Sequence, residues 1–354
     1  MSYLDESRSC LAALQQKEHL RILAIESSCD ETAAAVVEDG RKILSNAVFT
    51  QIDLHALYGG VVPEIASRAH VEKVDRMVDQ ALSDAGMRLA DVDAIAVTYG
   101  PGLVGALLTG VSCGKALAYA AKKTLIPVNH IEGHICANFL TDPDLEPPFA
   151  CLVVSGGHSH LFLVEDYGVY KIIGQTQDDA AGEAFDKAAR VLNIPYPGGP
   201  LLDKLAEQGN PHALKLPRPK TEGKYDYSFS GLKTAFINAV HNARQKGETL
   251  CDADLAASFR HAVVSFLVDK AMLAADDLNL KKMALAGGVS ANQLLRREME
   301  AACKKQGIQL FMPKLSLCGD NAAMIASAGY YRLRRGEIAD LSLNARPALR
   351  LQSK

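Results

Sequence analysis

The sequence predicts an α/β protein built from two similar halves, each a mixed sheet flanked by helices. Three observations carry this. A strand–turn–strand–turn–strand pattern occurs near residues 21–49 and again near 150–173. Each copy is followed, after helical sequence, by one more strand with a glycine-rich exit into a helix. Even the wording recurs at matching places, Val37-Glu-Asp-Gly40 against Val164-Glu-Asp-Tyr-Gly168.

Taken in order, residues 1–20 lack the apolar core of a secretory signal, and Asp5, Glu6 and Glu18 argue against an Arg-rich transit peptide. They are expected to form a short amphipathic helix or a frayed tail. Arg21-Ile-Leu-Ala-Ile-Glu-Ser-Ser-Cys-Asp30 opens as a strand and turns at small polar residues. Ala33-Ala-Ala-Val-Val-Glu38 returns, Asp39-Gly40 marks a hairpin, and Lys42-Ile-Leu-Ser-Asn-Ala-Val-Phe49 supplies the third strand. Residues 63–85 place Ile65, Ala69, Val74, Met77, Val78, Ala81 and Leu82 on one helical stripe, suited to the core or to a partner. Ala94-Ile-Ala-Val-Thr-Tyr-Gly-Pro-Gly102 is a strand leading into a helix at 103–122, and Leu125-Ile-Pro-Val-Asn129 is a strand ending at another helix. Thr141-Asp-Pro-Asp-Leu-Glu-Pro-Pro148 is rich in turn formers and reads as the linker.

The second half repeats the order. Ala150-Cys-Leu-Val-Val-Ser-Gly-Gly157 and His160-Leu-Phe-Leu-Val-Glu165 form a hairpin, and Tyr170-Lys-Ile-Ile173 follows. Met283-Ala-Leu-Ala-Gly-Gly-Val-Ser-Ala-Asn292 then leads into a helix at 293–305. The interval from hairpin to late strand is longer here (150 to 283 against 21 to 94), so an inserted helical and loop region is expected at about 175–260. The expected division is a 1–20 extension, a first half at 21–146 completed by a C-terminal helix at 322–345, and a second half at 147–321.

With 354 residues, a formal charge of -3 and 22% charged residues, the chain does not advertise nucleic-acid binding through its overall balance. Local cations stand at Lys215, Arg218, Lys220 and Lys224 and in Arg332-Leu-Arg-Arg335. Eight cysteines are scattered without a Cys-x-x-Cys pair, which argues against a disulfide framework and fits a reducing cytoplasm. No run of about 20 apolar residues is present, so no membrane span is expected.

The candidate chemistry centres on His130-Ile-Glu-Gly-His134. Two imidazoles at i and i+4 share one helix face, the spacing that a metal ion bridges. The best carboxylate to complete the set is Asp320, at the start of an Ala-rich helix, where its competing role is that of N-cap. Two His and one carboxylate with open positions suit ferrous iron or zinc. Glu132 lies about 200° around the helix from His130 and should point away from such an ion. That position argues against a metalloprotease, whose His-Glu-x-x-His places the base beside the first ligand. Glycine turns at Gly156-Gly157, Gly198-Gly199 and Gly287-Gly288, at analogous strand ends and turns, suit a nucleotide, although none is a Walker or Rossmann fingerprint.

Ten ordered motifs sharpen this picture: Ile25-Glu-Ser-Ser-Cys-Asp-Glu-Thr32, Gly59-Gly-Val-Val-Pro-Glu-Ile-Ala-Ser-Arg68, Gly100-Pro-Gly-Leu-Val-Gly105, the His130/His134 turn, Ser155-Gly-Gly-His158, Asp179-Ala-Ala-Gly-Glu-Ala-Phe-Asp-Lys187, Tyr196-Pro-Gly-Gly-Pro200, Ser228-Phe-Ser-Gly-Leu-Lys233, Gly287-Gly-Val-Ser-Ala-Asn292 and Gly319-Asp-Asn321. Over about residues 21–345 the chain resembles the TsaD family, the bacterial tRNA N6-adenosine threonylcarbamoyltransferases once called glycoproteases. The resemblance implies a duplicated actin-like (ASKHA, sugar-kinase-like) two-lobe fold with a nucleotide and metal cleft. It also implies transfer of a threonylcarbamoyl group from threonylcarbamoyl-AMP to N6 of the adenosine 3′ of the anticodon, in tRNAs reading ANN codons, with release of AMP. The family's metal positions fall on His130, His134 and Asp320, with Fe2+ favoured over Zn2+. Its adenylate-binding positions fall on Val153, Val154, Ser155, Gly156, Gly157, Asp186, Gly199 and Asn292. Asp30 and Glu31 are the candidate catalytic pair, as the base that takes the amine proton. A TsaB-like paralogous subunit and a TsaE-like ATPase are the implied partners. Ser27 and Ser159 stand where relatives often have Thr, and both keep a hydroxyl.

Other readings on the same fold are a small-molecule kinase or carbamoyltransferase and an idle nucleotide-binding scaffold. A kinase would consume ATP without tRNA, and a scaffold need not keep a metal set.

Overall fold

The computed structural model describes residues 3–247 and 250–351, so Met1 and Ser2 of the expected extension lie outside the described residues. The elements run α1 (Tyr3–Gln16), β1 (Arg21–Glu26), β2 (Glu31–Glu38), β3 (Lys42–Thr50), α2 (Ile52–Ala56), α3 (Pro63–Asp84), β4 (Ala94–Gly100), α4 (Val104–Ala121), β5 (Thr124–Asn129) and α5 (His130–Thr141). They continue with β6 (Phe149–Val154), β7 (Ser159–Asp166), β8 (Val169–Gln175), α6 (Ala181–Val191), α7 (Gly198–Ala206), α8 (Ser230–Gln245), α9 (Asp252–Asp277), β9 (Lys282–Ala286), α10 (Gln293–Gln306), β10 (Gln309–Phe311) and α11 (Ala322–Arg334). Two compact units result, one of Met1–Leu145, Tyr167–Val169 and Pro313–Lys354, the other of Glu146–Asp166 and Tyr170–Met312. Residues 313–321, expected at the end of the second half, group with the first unit, and the last helix stops at Arg334 rather than at 345.

In the first unit the strand order is β3-β2-β1-β4-β5, with β1–β2 and β2–β3 antiparallel and β1–β4 and β4–β5 parallel. β1 and β4 are apolar on both faces because both faces are covered. Leu23, Ile25, Ile95 and Val97 pack with Val74, Val78 and Val111 of α3 and α4. The alternate positions turn to α11: a Cβ on Gly329 would lie 2.8 Å from Ala96 Cβ and 3.5 Å from Ile22 Cγ2. Glycine there lets the helix lie close on the sheet. The expected 63–85 helix is core-facing, with Ala66, Val74, Val78, Ala81 and Leu82 buried. α4 alone among the described helices is long and apolar enough to cross a membrane, which the sequence reading did not foresee. It packs on α3 and β4, and Leu107, Val111 and Ala118 are buried. The extension forms α1 and is fastened to this unit: Tyr3 Oη donates to Lys123 O at 2.6 Å, and Gln15 Nε2 to Arg334 O at 3.0 Å.

In the second unit the order is β10-β9-β6-β7-β8, with β6–β7 antiparallel and β6–β9 and β9–β10 parallel. Strand for strand, this is the topology of the first sheet. Its core joins Leu152, Val154 and Leu285 of the sheet to Phe185, Phe236, Phe259 and Leu267 of the helices. No disulfide joins any of the eight cysteines.

Candidate functional site

The chain builds its histidine pair from a strand end. β5 stops at Asn129, whose side chain caps α5 by accepting from Ile131 N at 2.8 Å and Glu132 N at 3.4 Å. His130 and His134 then stand one turn apart, with ring centroids 4.6 Å apart and planes at 79°. Asp320 reaches them from the residue pair that opens α11. The cap of α11 is Asn321, which accepts from Met324 N at 3.0 Å, so the capping role open to Asp320 in the sequence belongs to its neighbour. Asp320 Oδ1 lies 3.2 Å from His134 Nε2 and 3.5 Å from His130 Nε2.

These three residues fit a cation. Both histidines are buried, and one ligand atom from each of the three residues lies within 4.8 Å of the other two. Apart from the Asp320 contact at Nε2, neither nitrogen of the buried His134 finds a hydrogen-bond partner among the described residues. Ligands about 2.0–2.1 Å from one ion at tetrahedral angles stand about 3.3 Å apart, close to the two Asp320 separations. On the far side of His130, Nδ1 lies 3.1 Å from Glu26 Oε2 and 3.1 Å from Ser28 Oγ. Burial disfavours the His130 imidazolium, but Asp320 and Glu26 outweigh it and push the group up to about 9 in the metal-free chain. Glu26 was missed as a site residue; its signal is a carboxylate ending an apolar strand, Arg21-Ile-Leu-Ala-Ile-Glu26.

Glu132 does turn away from the triad, as its helical position predicts, and pairs with Arg332 of α11. Asp30 and Glu31, the candidate base pair, follow the same β1 turn. Burial first, then Asp320 and Asp30, push the Glu31 carboxyl up to about 10 in the metal-free chain.

The other site positions gather in the second unit. Val153 and Val154 are fully buried within β6 and hydrogen-bonded into the sheet, so this segment presents its next three residues, Ser155, Gly156 and Gly157. Ser155 N donates to His158 O at 2.8 Å, which tightens the turn, and Gly182 N at the start of α6 donates to Ser155 O at 3.2 Å. A side chain at Gly182 would collide with that oxygen at 2.5 Å. Asp186 Oδ1 accepts from Gly199 N at 3.0 Å, joining α6 to α7. Asn292 caps α10 through Leu295 N at 3.0 Å and donates from Nδ2 to Asp203 Oδ1 at 2.9 Å. Asp203 in turn accepts from the buried Arg260 at 2.7 Å. Sequence reasoning passed over Asp203 and Arg260, because only the fold brings α7 and α9 to the head of α10.

The basic run at the end of α11 serves the fold instead of a ligand. Arg332 binds Glu132, Arg334 donates to the carbonyls of Gln15 and Lys17, and Arg335 pairs with Glu337. In the other run Arg218 pairs with Asp269 at 2.7 Å and Lys224 with Asp277 at 2.5 Å.

The family model of tRNA N6-adenosine threonylcarbamoyltransferase, TsaD, matches residues 42–327. The chain belongs to the TsaD family. It is 54% identical over 333 residues to the tRNA N6-adenosine threonylcarbamoyltransferase of Caldicellulosiruptor bescii, covering 94% of this chain and 99% of that one. To the Clostridium perfringens TsaD protein of the same name it is 55% identical over 331 residues, 93% of this chain and 98% of the other. Among solved structures it resembles HypF from T. kodakarensis, with a TM-score of 0.63 at 16% identity over 92% of this chain and 49% of that one. It also resembles component A of the Acidaminococcus fermentans (R)-2-hydroxyglutaryl-CoA dehydratase, with a TM-score of 0.53 at 15% identity over 90% and 99% of the two chains. These likenesses concern the fold alone, the duplicated actin-like α/β fold. TsaD membership also implies a divalent metal, and the His130, His134 and Asp320 group can hold one.

Proposed function

We propose that this transferase moves a threonylcarbamoyl group from threonylcarbamoyl-AMP to N6 of the adenosine 3′ of the anticodon, in tRNAs reading ANN codons, and releases AMP. Membership in the family makes the chain a tRNA-modifying transferase; the donor and the residue roles are inferred. The observation that carries the site assignment is the buried His134, with no hydrogen bond beyond its contact with Asp320, set beside His130.

The donor is a mixed anhydride that already holds its leaving group, while the acceptor is an aryl amine with its lone pair drawn into the purine. Positioning and polarisation therefore matter more than a covalent nucleophile. The amine nitrogen bonds to the carbamoyl carbon, the bond from that carbon to the phosphate oxygen breaks, and the amine gives up one proton. The backbone amides of Gly156 and Gly157, in the turn that Ser155 opens, bind phosphate in this reading. Asp186, Gly199 and Asn292 hold the ribose and adenine. Asp30 and Glu31 supply the base that takes the proton. His130, His134 and Asp320 would hold a divalent ion, Fe2+ ahead of Zn2+, which when bound supplies Lewis-acid polarisation.

The tRNA must find cations on a chain of net charge -3 whose Arg332 to Arg335 run is engaged internally. Few phosphate contacts give weak, salt-sensitive binding. This supports a surface completed by a TsaB-like subunit, with a TsaE-like ATPase as the second partner. The eight cysteines without a disulfide fit a reducing cytoplasm.

Reconstitution decides the reading. Unmodified tRNA, preformed adenylate and the two partners should yield modified nucleoside by mass together with AMP. ATP consumption in the absence of tRNA, with no modified nucleoside, would point to the kinase reading instead.

A further inference from the structure

We propose that Glu26 is a positioning residue of the metal centre: it fixes the ring plane and tautomer of His130, so that Nε2 presents its lone pair to the ion. The inference rests on the reading of His130, His134 and Asp320 as the metal set. Glu26 ends β1 and is fully buried, with no solvent to hydrate its charge. Its two oxygens are held from different sides. Oε1 accepts from Ser28 N, and Oε2 accepts from Thr98 Oγ1 at 2.7 Å. Ser28 and Thr98 are themselves buried, so the carboxylate is clamped in place. The remaining capacity of Oε2 faces His130 Nδ1 at 3.1 Å.

An ionised carboxylate only accepts hydrogen bonds, so His130 must carry its hydrogen on Nδ1. Ser28 Oγ, also 3.1 Å from Nδ1, is the weaker acceptor of the two. In the neutral ring that binds an ion, Nε2 is then the nitrogen with the lone pair, on the side of Asp320. A carboxylate behind a histidine ligand orients the ring and raises its basicity. Gln at position 26 has nearly the same shape and the opposite logic. With its oxygen kept on Ser28 N, its NH2 faces Nδ1 and favours the tautomer whose hydrogen sits on Nε2, toward the ion.

Cobalt(II) is the probe, because its absorption bands report ligand identity and geometry apart from any activity. The full-length chain, His134→Ala and Glu26→Gln are titrated with Co2+ in a competing chelator. We expect the unaltered chain to bind one ion, His134→Ala to lose it, and Glu26→Gln to bind about 10- to 100-fold more weakly with shifted bands. A Glu26→Gln titration and spectrum that superimpose on those of the unaltered chain overturn the inference and leave the metal set standing. No binding by the unaltered chain, or full binding by His134→Ala, overturns the metal set and the inference with it. Should Glu26→Gln fail to fold, Thr98→Val decides, since it removes one clamp from Oε2 without touching a ligand. A several-fold loss of Co2+ affinity supports the role, and an unchanged affinity overturns it.

Discussion

Arg332 Nε donates to Glu132 Oε2 at 2.6 Å, and this pair ties the helix that carries both histidines to the helix that follows Asp320. Glu132 is 1% exposed, and Arg332 also reaches Glu337 at 3.0 Å. Removing one partner of a buried pair strands the other charge. Glu132→Ala should therefore cost about 3 kcal/mol in urea unfolding, the low end of the range for such pairs because Glu337 remains. Metal content should fall with it, as α5 loosens from α11.

Gly133 lies between the histidines on the same contact. A Cβ there would stand 2.6 Å from Ile325 Cδ1 and 3.2 Å from Met324 Cγ, both side-chain atoms that can give way. Gly133→Ala should destabilise by about 1–2 kcal/mol through overpacking. Ile325→Val removes the nearest atom, so the double variant should regain part of that loss. Additive losses in a double-mutant cycle would show that the two residues do not meet.

Asn321 holds α11 by its first turn, and Asp320 hangs from the residue before it. Asn321→Ala should cost about 1 kcal/mol of unfolding free energy, the usual value of a cap. It should also weaken metal binding, while Asn321→Asp keeps the cap and most of both properties. Isothermal titration with Zn2+ on the two variants checks this.

The second unit has an acid-sensitive fastening. Burial alone would raise the Asp179 carboxyl, but Lys233, with help from Lys187 and the Ser230 hydroxyl, holds it below the usual aspartate value. A carboxyl depressed in the folded state stabilises fully above its unfolded value, and that contribution is lost as pH falls through the folded one. The stability difference between the unaltered chain and Asp179→Asn should be largest near pH 7 and shrink below about pH 4. Urea unfolding at the two pH values measures it. A difference independent of pH would show that the lysine contact contributes nothing through charge.

Local pattern made much of this legible. Alternation and hairpin turns located the strands, and the i, i+4 spacing located the histidine pair. The eye of the reader fails where a role depends on distant chain. Nothing near Glu26 in sequence announces His130, 104 residues away. Asp320 and Asn321 are equivalent as caps on paper, and only the path of the chain into α11 gives the cap to Asn321 and turns Asp320 to the histidines. The arginines of residues 332–335 look like a ligand surface until Glu132, Gln15, Lys17 and Glu337 are seen around them.

Every residue of α5 from His130 to Leu140 is buried, so the helix that bears the proposed ligands has almost no surface of its own. A catalytic loop can drift while the scaffold beneath it stays put. Here the proposed ligands and the scaffold are the same residues. A descendant that abandoned the metal would have to repack the first unit, and selection for folding alone would slow the decay of the site.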